Sequence, residues 1–186
     1  MFAVFDNVIS KEYCQILKSR IESWYNYCLD ENSKNNIWQW EKRVLDATPL
    51  RIIPNHKSSF ERNYNLNAET MRVQDEVFDI VINLLKTKLN VDLELVRIEL
   101  QTWPINTNGP LHSHNESNEK TDYNSLLYLN DDFNGGEFYT ENGLIVRPTP
   151  GRLTFFDGFN IRHGVADIYD NNRYTMIFWW NNTKFK

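Results

Sequence analysis

Residues 96–101 have the sequence Val-Arg-Ile-Glu-Leu-Gln, in which apolar and polar side chains alternate without exception. Successive side chains of a β-strand point to opposite faces, so this alternation predicts a strand with one buried face. The stretch also marks a change along the chain, because helical spacing precedes it and short β-rich runs follow it. Those runs are 124–129, 137–140, 144–146, 152–156, 163–165 and 174–180.

Turn-forming residues separate the β-rich runs. Glycine, proline, asparagine and aspartate favour turns because they adopt or stabilise backbone conformations that strands exclude. The predicted turns are Asn134-Gly135-Gly136, Glu141-Asn142-Gly143, Pro150-Gly151, Asp157-Gly158 and Asp170-Asn171-Asn172. Close spacing of strands and turns indicates antiparallel sheet rather than alternating strands and helices.

Two helices are predicted before the strands. Ser10 is a favourable N-cap for a helix over 10–29, and a second helix is expected over 68–89. Apolar residues recur at three- and four-residue steps in both segments, which predicts one buried stripe on each helix. The second stripe consists of Val73, Val77, Ile80, Val81, Leu84, Leu85 and Leu89.

These patterns together predict an α+β, mainly β fold. We expect a double-sheet jelly roll with the N-terminal helices packed on one sheet. The 186 residues fit one domain, 1–186, with a helical part over about 1–90 and a jelly-roll core over about 91–181. Residues 30–66 are polar and interrupted by proline, so loops are expected there.

Composition narrows the class of protein. The formal charge of −5 gives no basic footprint for nucleic acid, and no apolar run reaches the roughly 18 residues of a membrane span. The N-terminus lacks the charged-then-apolar layout of a signal peptide. Cys14 and Cys28 are expected to be two buried thiols, which favours a reducing, cytoplasmic location.

Histidines supply the most specific chemical signal. In an extended segment, side chains two residues apart point the same way, so His112, His114 and Glu116 are expected to face one cavity. His163 adds a distant ligand, and two histidines with one carboxylate can hold Fe(II) on one face. Two ligand sets are therefore possible: His114, Glu116 and His163, or His112, His114 and His163.

Arg173 follows His163 by ten residues, across the turn at 170–172. A hairpin of this length can place the guanidinium beside the metal ligand, on a neighbouring strand. The planar guanidinium matches a carboxylate with two parallel hydrogen bonds. Arg173 is therefore predicted to bind the carboxylate of an organic acid.

The chain resembles the Fe(II)/2-oxoglutarate-dependent dioxygenases, specifically the prolyl 4-hydroxylase-like branch. The order and spacing of several short motifs carry this resemblance, which covers nearly the whole chain. The motifs are Phe5-Asp6-Asn7-Val8-Ile9-Ser10, Leu126-Leu127-Tyr128-Leu129-Asn130, Gly135-Gly136-Glu137, Pro150-Gly151-Arg152-Leu153-Thr154-Phe155-Phe156, His163-Gly164-Val165 and Arg173-Tyr174.

The resemblance implies a double-stranded β-helix with Fe(II) in its mouth, and 2-oxoglutarate and dioxygen as cosubstrates. By position, His163 resembles the distal iron ligand, Arg173 the partner of the far carboxylate of 2-oxoglutarate, and Tyr128 a hydroxyl that helps hold it. The family shows His-any-Asp or His-any-Glu at the first ligand pair, whereas this chain has His112-Ser113-His114-Asn115-Glu116. Spacing favours His112 with His114, and ligand chemistry favours His114 with Glu116, which we slightly prefer.

The implied function is hydroxylation of an unactivated C–H bond, first of all in a peptidyl proline. The substrate, a peptide, a protein or a small molecule, would contact the loops at 30–66 and 115–123. A cupin-like three-His dioxygenase without a 2-oxo acid would suit the second ligand set, but it leaves Arg173 without a role. A non-catalytic jelly-roll binding protein would suit the high tryptophan and tyrosine content.

Overall fold

The computed structural model describes residues 1–30, 41–49, 51–53, 67–116 and 120–183. Two helices, α1 (Lys11–Leu29) and α2 (Ala68–Leu89), precede most of the strands. Single turns of 3-10 helix lie at Glu41–Arg43 and His114–Glu116. The strands are β1 (Phe2–Phe5), β2 (Val44–Asp46), β3 (Leu93–Trp103), β4 (Gly109–His112), β5 (Tyr123–Tyr128), β6 (Asn134–Gly135), β7 (Phe138–Thr140), β8 (Ile145–Val146), β9 (Leu153–Phe156), β10 (His163–Val165), β11 (Ile168–Tyr169) and β12 (Arg173–Asn182).

The strands form two main antiparallel sheets. The major sheet has the order β1-β9-β5-β12-β3-β2, and the minor sheet has the order β4-β10-β7-β8. Strands β11 and β6 form a separate short pair. Leu126, Phe138 and Phe156 pack together between the two main sheets, so the sheets lie face to face as predicted.

The two helices cover the other face of the major sheet. Ser10 accepts a hydrogen bond from the Tyr13 backbone N–H at 3.1 Å, and Asn67 caps α2 in the same way through Thr70 at 2.8 Å. Both caps satisfy backbone donors that a helix start leaves free. The helices bury their apolar stripes against the sheet. These stripes include Cys14 and Cys28, which are both buried thiols as predicted. Among the described helices, none is long and apolar enough to cross a membrane.

Strand β12 contributes side chains to both faces of the major sheet. Met176, Phe178 and Trp180 are fully buried and belong to the core under the helices. Arg173, Ile177 and Trp179 point to the opposite face, toward the minor sheet, where they line a cavity. The alternation of a single strand therefore separates the hydrophobic core from the candidate site.

Three details of the sequence-based prediction differ from the structure. Val96 is only half-buried, because β3 bulges there: Trp179 pairs with Arg97 and the next residue, Trp180, pairs with Leu95. Ile80 is 38% exposed, since it lies at the edge of the buried stripe of α2. Within 30–66, predicted to be loops, β2 forms an edge strand on β3.

The rest of that predicted loop region, residues 31–40, 50 and 54–66, lies outside the described residues. So do residues 117–119 of the predicted loop at 115–123.

Candidate metal and oxo-acid site

Three histidines meet at one end of the minor sheet. His112 ends β4 and His163 begins β10, and the two residues are directly paired across these antiparallel strands. His114 follows in the 3-10 turn and is held by a hydrogen bond of 2.8 Å from its backbone N–H to the Gly158 carbonyl. The ligand atoms of the three imidazoles all lie within 4.8 Å of one another. This spacing suits a single metal ion.

Hydrogen bonds orient two of these rings. His112 Nδ1 lies 2.9 Å from the Pro110 carbonyl oxygen, and His163 Nδ1 lies 2.8 Å from the Ile161 carbonyl oxygen. A carbonyl oxygen only accepts, so each Nδ1 carries the proton and each Nε2 keeps its lone pair. Backbone partners of this kind fix both the tautomer and the ring direction of a metal-binding histidine.

Burial keeps the two inner imidazoles uncharged. Desolvation lowers the pKa of His163 to about 3 and is the largest cause of the lowered pKa of His114, about 4. The neighbouring His112 also lowers the pKa of His114, whereas a side-chain hydrogen bond with Asn124 opposes the shift. The neutral form, which is the form that binds metals, therefore prevails at neutral pH.

Glu116 does not join this group. Its side chain is 55% exposed, accepts a hydrogen bond from Ser113 Oγ at 3.0 Å, and lies 3.6 Å from Arg162 Nε. Our slight preference for His114, Glu116 and His163 assumed an extended segment, but residues 114–116 form a 3-10 turn. The turn breaks the two-residue alternation and directs Glu116 away. The structure thus brings together the second predicted set, His112, His114 and His163.

Arg173 lies buried in the same cavity. The side chain is 1% exposed, and its Nε and Nη2 atoms form no hydrogen bond with any described residue. Desolvation lowers its pKa, and no described carboxylate offsets that cost. Gly136 leaves room for its stem, because a Cβ there would lie 3.0 Å from Arg173 Cδ. A buried cation without an anion is costly, so the geometry calls for an anionic ligand.

Tyr128 lies beside Arg173, with the guanidinium carbon 5.3 Å from the centre of its ring. Its hydroxyl is buried and has no hydrogen bond of ordinary geometry, and the same holds for the hydroxyls of Thr154 and Thr175. Thr175 pairs directly with Tyr128 across β12 and β5. Burial raises the pKa of Tyr128, so its hydroxyl keeps its proton and can donate a hydrogen bond.

The histidines and Arg173 share a cavity of about 170 Å³. Besides the three histidines, four aromatic side chains line it: Trp103, Phe138, Phe156 and Trp179. No aspartate or glutamate of the described chain lines it, so Arg173 carries the only formal charge there. Trp179 lines this wall, whereas its neighbours Phe178 and Trp180 belong to the hydrophobic core. Strand alternation across 173–179 was the signal that could have identified this wall.

Comparison with known proteins supports the predicted resemblance. A family model described as the 2OG-Fe(II) oxygenase superfamily matches residues 100–181, which contain the three histidines, Tyr128 and Arg173. Residues 100–181 of this chain are thus similar to the 2OG-Fe(II) oxygenase superfamily. The predicted resemblance is thereby confirmed. The cofactors in the superfamily's description also fit the site, since three clustered imidazoles can hold iron and a buried guanidinium can hold an oxo acid.

Proteins similar to this chain include prolyl hydroxylases. Human prolyl 3-hydroxylase 2 is 25% identical over 95% of this chain, and the mouse protein of that name is 38% identical over the same share. The chain spans 29% of the length of each. A prolyl hydroxylase from Trichoplax adhaerens, solved with a peptide fragment of a hypoxia inducible factor, has a TM-score of 0.67 at 17% identity. That match covers 98% of this chain and 84% of the other, and it confirms the predicted double-stranded β-helix.

Proposed function

We propose that this chain is an Fe(II)- and 2-oxoglutarate-dependent hydroxylase that acts on a prolyl residue of a peptide or protein. One observation carries the proposal: the buried, uncompensated guanidinium of Arg173 opens into the same small cavity as three clustered histidines. A metal and a dicarboxylate would each satisfy one of these features. The non-catalytic alternative gives no reason for either feature.

Arg173 and Tyr128 account for recognition of 2-oxoglutarate. The guanidinium offers Nε and Nη2 to one carboxylate, and the Tyr128 hydroxyl offers another donor next to it. When bound, iron and 2-oxoglutarate supply the oxidising power that converts dioxygen and a C–H bond into an alcohol, with succinate and carbon dioxide as coproducts. The three-His dioxygenase that uses no 2-oxo acid would leave these donors unused.

The rest of the cavity suits an uncharged substrate group. Apart from Arg173 its wall is mostly aromatic, which favours an apolar ring and excludes water around the reacting carbon. A pyrrolidine ring fits this description. The names of the sequence relatives and of the solved structures support proline as the residue attacked. Because the sequence relatives are prolyl 3-hydroxylases, position 3 of the ring is the first product to test.

The test is a coupled assay on the full chain, supplied with Fe(II), 2-oxoglutarate, air and proline-rich peptides. We expect succinate to accumulate with the mass gain of one oxygen atom on the peptide, and NMR of the product to identify the hydroxylated carbon. Arg173→Gln should abolish both signals, whereas Arg147→Gln, which changes an exposed arginine, should not. Absence of succinate and of oxidised peptide with the iron-loaded parent protein would contradict the proposed function.

A further inference from the structure

His114 is buried and closely packed by its neighbours. The imidazole is only 5% exposed and packs against the Trp179 ring, with 4.8 Å between ring centres. Its backbone is tied to Gly158, as described above. His114 stands at the position where the His-any-Asp pattern of the resembled family has the carboxylate residue. An imidazole is much larger than a carboxylate group, so a ligand change here requires matching changes in its neighbours.

Gly158 is one such neighbour. A Cβ atom at this residue would lie 2.1 Å from Asn124 Oδ1 and 2.7 Å from His114 Nδ1, which are both clashes. The space above the Gly158 Cα is therefore filled by the amide of Asn124 and the imidazole of His114 together. Glycine is needed here for the close approach of two side chains, and not for its backbone angles.

Asn124 is the second neighbour. It is 1% exposed and lies on β5 directly opposite Trp179 of β12, so both side chains face the cavity. Neither amide atom has a well-formed hydrogen bond to another described residue. Its Oδ1 can only accept, and the adjacent Nδ1–H of His114 can donate to it. That contact would keep the lone pair on Nε2 of His114, as the carbonyls of Pro110 and Ile161 do for the other two rings.

We propose that the metal is held by Nε2 of His112, His114 and His163, with no carboxylate ligand, and that Asn124 is the positioning residue that orients His114. The proposal rests on the proposed function for the presence of a metal, and it specifies the ligand set of that site. Glu116 then serves only at the surface, with Ser113 and Arg162.

The experiment uses the metal-free full chain, Zn(II) as a diamagnetic probe, and no 2-oxoglutarate or substrate. NMR of isotope-labelled histidine nitrogens should show three Nε2 resonances that shift together on binding, with three Nδ1 atoms that stay protonated. Competition with a coloured chelator gives the affinity. We expect His112→Ala and His114→Ala each to weaken Zn(II) binding by at least about tenfold, and Glu116→Gln to leave it unchanged.

Asn124 is tested by two variants of similar size. Asn124→Leu removes the acceptor and should weaken Zn(II) binding about 10- to 100-fold, with loss of the protonated Nδ1 signal of His114. Asn124→Asp keeps an acceptor and should retain both the affinity and the signal. A purely structural role would instead make the two variants behave alike. Circular dichroism and the melting temperature of the metal-free proteins provide the control for folding.

Different results overturn different claims. Weaker Zn(II) binding in Glu116→Gln, or shifts of only two histidines, would overturn the three-histidine set and leave the proposed function intact. Unchanged affinity in Asn124→Leu would overturn the positioning role alone. If the parent protein binds neither Zn(II) nor Fe(II), the proposed function fails together with this inference.

Discussion

Arg173 provides the positive charge of the candidate site. Its guanidinium is buried without a carboxylate partner, so a bound dicarboxylate would relieve a desolvation cost that the free protein bears. The planar shape matters as well as the charge, since two parallel hydrogen bonds need two donors in one plane.

Replacement of Arg173 by lysine separates these two contributions. Arg173→Lys keeps a positive charge and loses the fork, so we expect 2-oxoglutarate binding to weaken by about 1.5–3 kcal/mol, or roughly 10- to 150-fold in Kd. Calorimetric titration of the Mn(II)-loaded protein with 2-oxoglutarate measures this change. An unchanged Kd would remove Arg173 from the cosubstrate site.

Removal of the Tyr128 hydroxyl should have opposite effects on the stability of the fold and on the binding of 2-oxoglutarate. It is buried without a well-formed hydrogen bond, a state that costs about 1–3 kcal/mol, so Tyr128→Phe should raise the melting temperature of the ligand-free protein. The same change should weaken 2-oxoglutarate binding by about 0.5–1.5 kcal/mol, because a donor to the ligand is lost. Calorimetry gives both quantities. Lower stability together with normal binding would mean that the hydroxyl serves the fold instead.

Residue types with distinctive chemistry were predictable from the sequence. The structure brings His163 and Arg173 to one cavity and places Tyr128 beside Arg173. Glu116 could not be placed, since a single turn of 3-10 helix decides where it points. Asn124 gave no signal at all, because one asparagine in a strand has many ordinary roles and only its tertiary neighbours distinguish it.

At the scale of elements, strand β12 contains two tryptophans with different roles, one in the hydrophobic core and one in the cavity. Trp180 is fully buried under the helices, and its indole N–H donates to Ser125 Oγ at 2.8 Å. Trp179, the preceding residue, contacts His114 and the cavity instead. Alternation places residues of the same type, one position apart, in two environments.

The matched pair Trp180→Ala and Trp179→Ala should therefore give contrasting results. Trp180→Ala should lower the free energy of unfolding by about 3–5 kcal/mol, because it leaves a large cavity in the core. Trp179→Ala should destabilise the fold less and weaken Zn(II) binding, because His114 loses the ring that it packs on. Urea unfolding and chelator competition measure the two effects. Equal losses of stability would contradict the assignment of the two faces.

Elements with a clear apolar pattern in the sequence were predicted closely, whereas several short strands were not. Helix α2 runs over Ala68–Leu89 as expected, and β10 occupies His163–Val165 as expected. Strands β4, β6 and β11 were missed, since two to four residues do not establish a period, and β2 lies in a segment without apolar alternation. The bulge in β3 was also invisible, because it depends on the register of a strand about 80 residues away.

At the scale of the whole molecule, ligand binding and folding should be coupled. The three histidines come from β4, the 3-10 turn and β10, while Arg173 comes from β12 of the other sheet. A metal and 2-oxoglutarate bound together would therefore link the two sheets. The unfolded chain has no such site, so binding stabilises the folded state by mass action.

We expect the free energy of unfolding to rise by about 2.7 kcal/mol for each ligand that is held at roughly 100 times its Kd. Differential scanning calorimetry under anaerobic conditions, with Fe(II) and 2-oxoglutarate, measures the change, and a chelator should reverse it. His163→Ala serves as the control and should show no rise. If neither ligand changes the melting temperature of the parent protein, the two ligands do not bind at this site.

Because β12 contacts the candidate site on one face and the helices on the other, ligand binding should affect the lifetime of the protein in a cell. One face of this strand would hold the cosubstrate and the other holds the helices, so a molecule with an empty site opens more readily along its whole length. Proteases degrade transiently opened molecules, and their rate follows the population of that state. The abundance of the protein would then follow the metabolic supply of 2-oxoglutarate and iron.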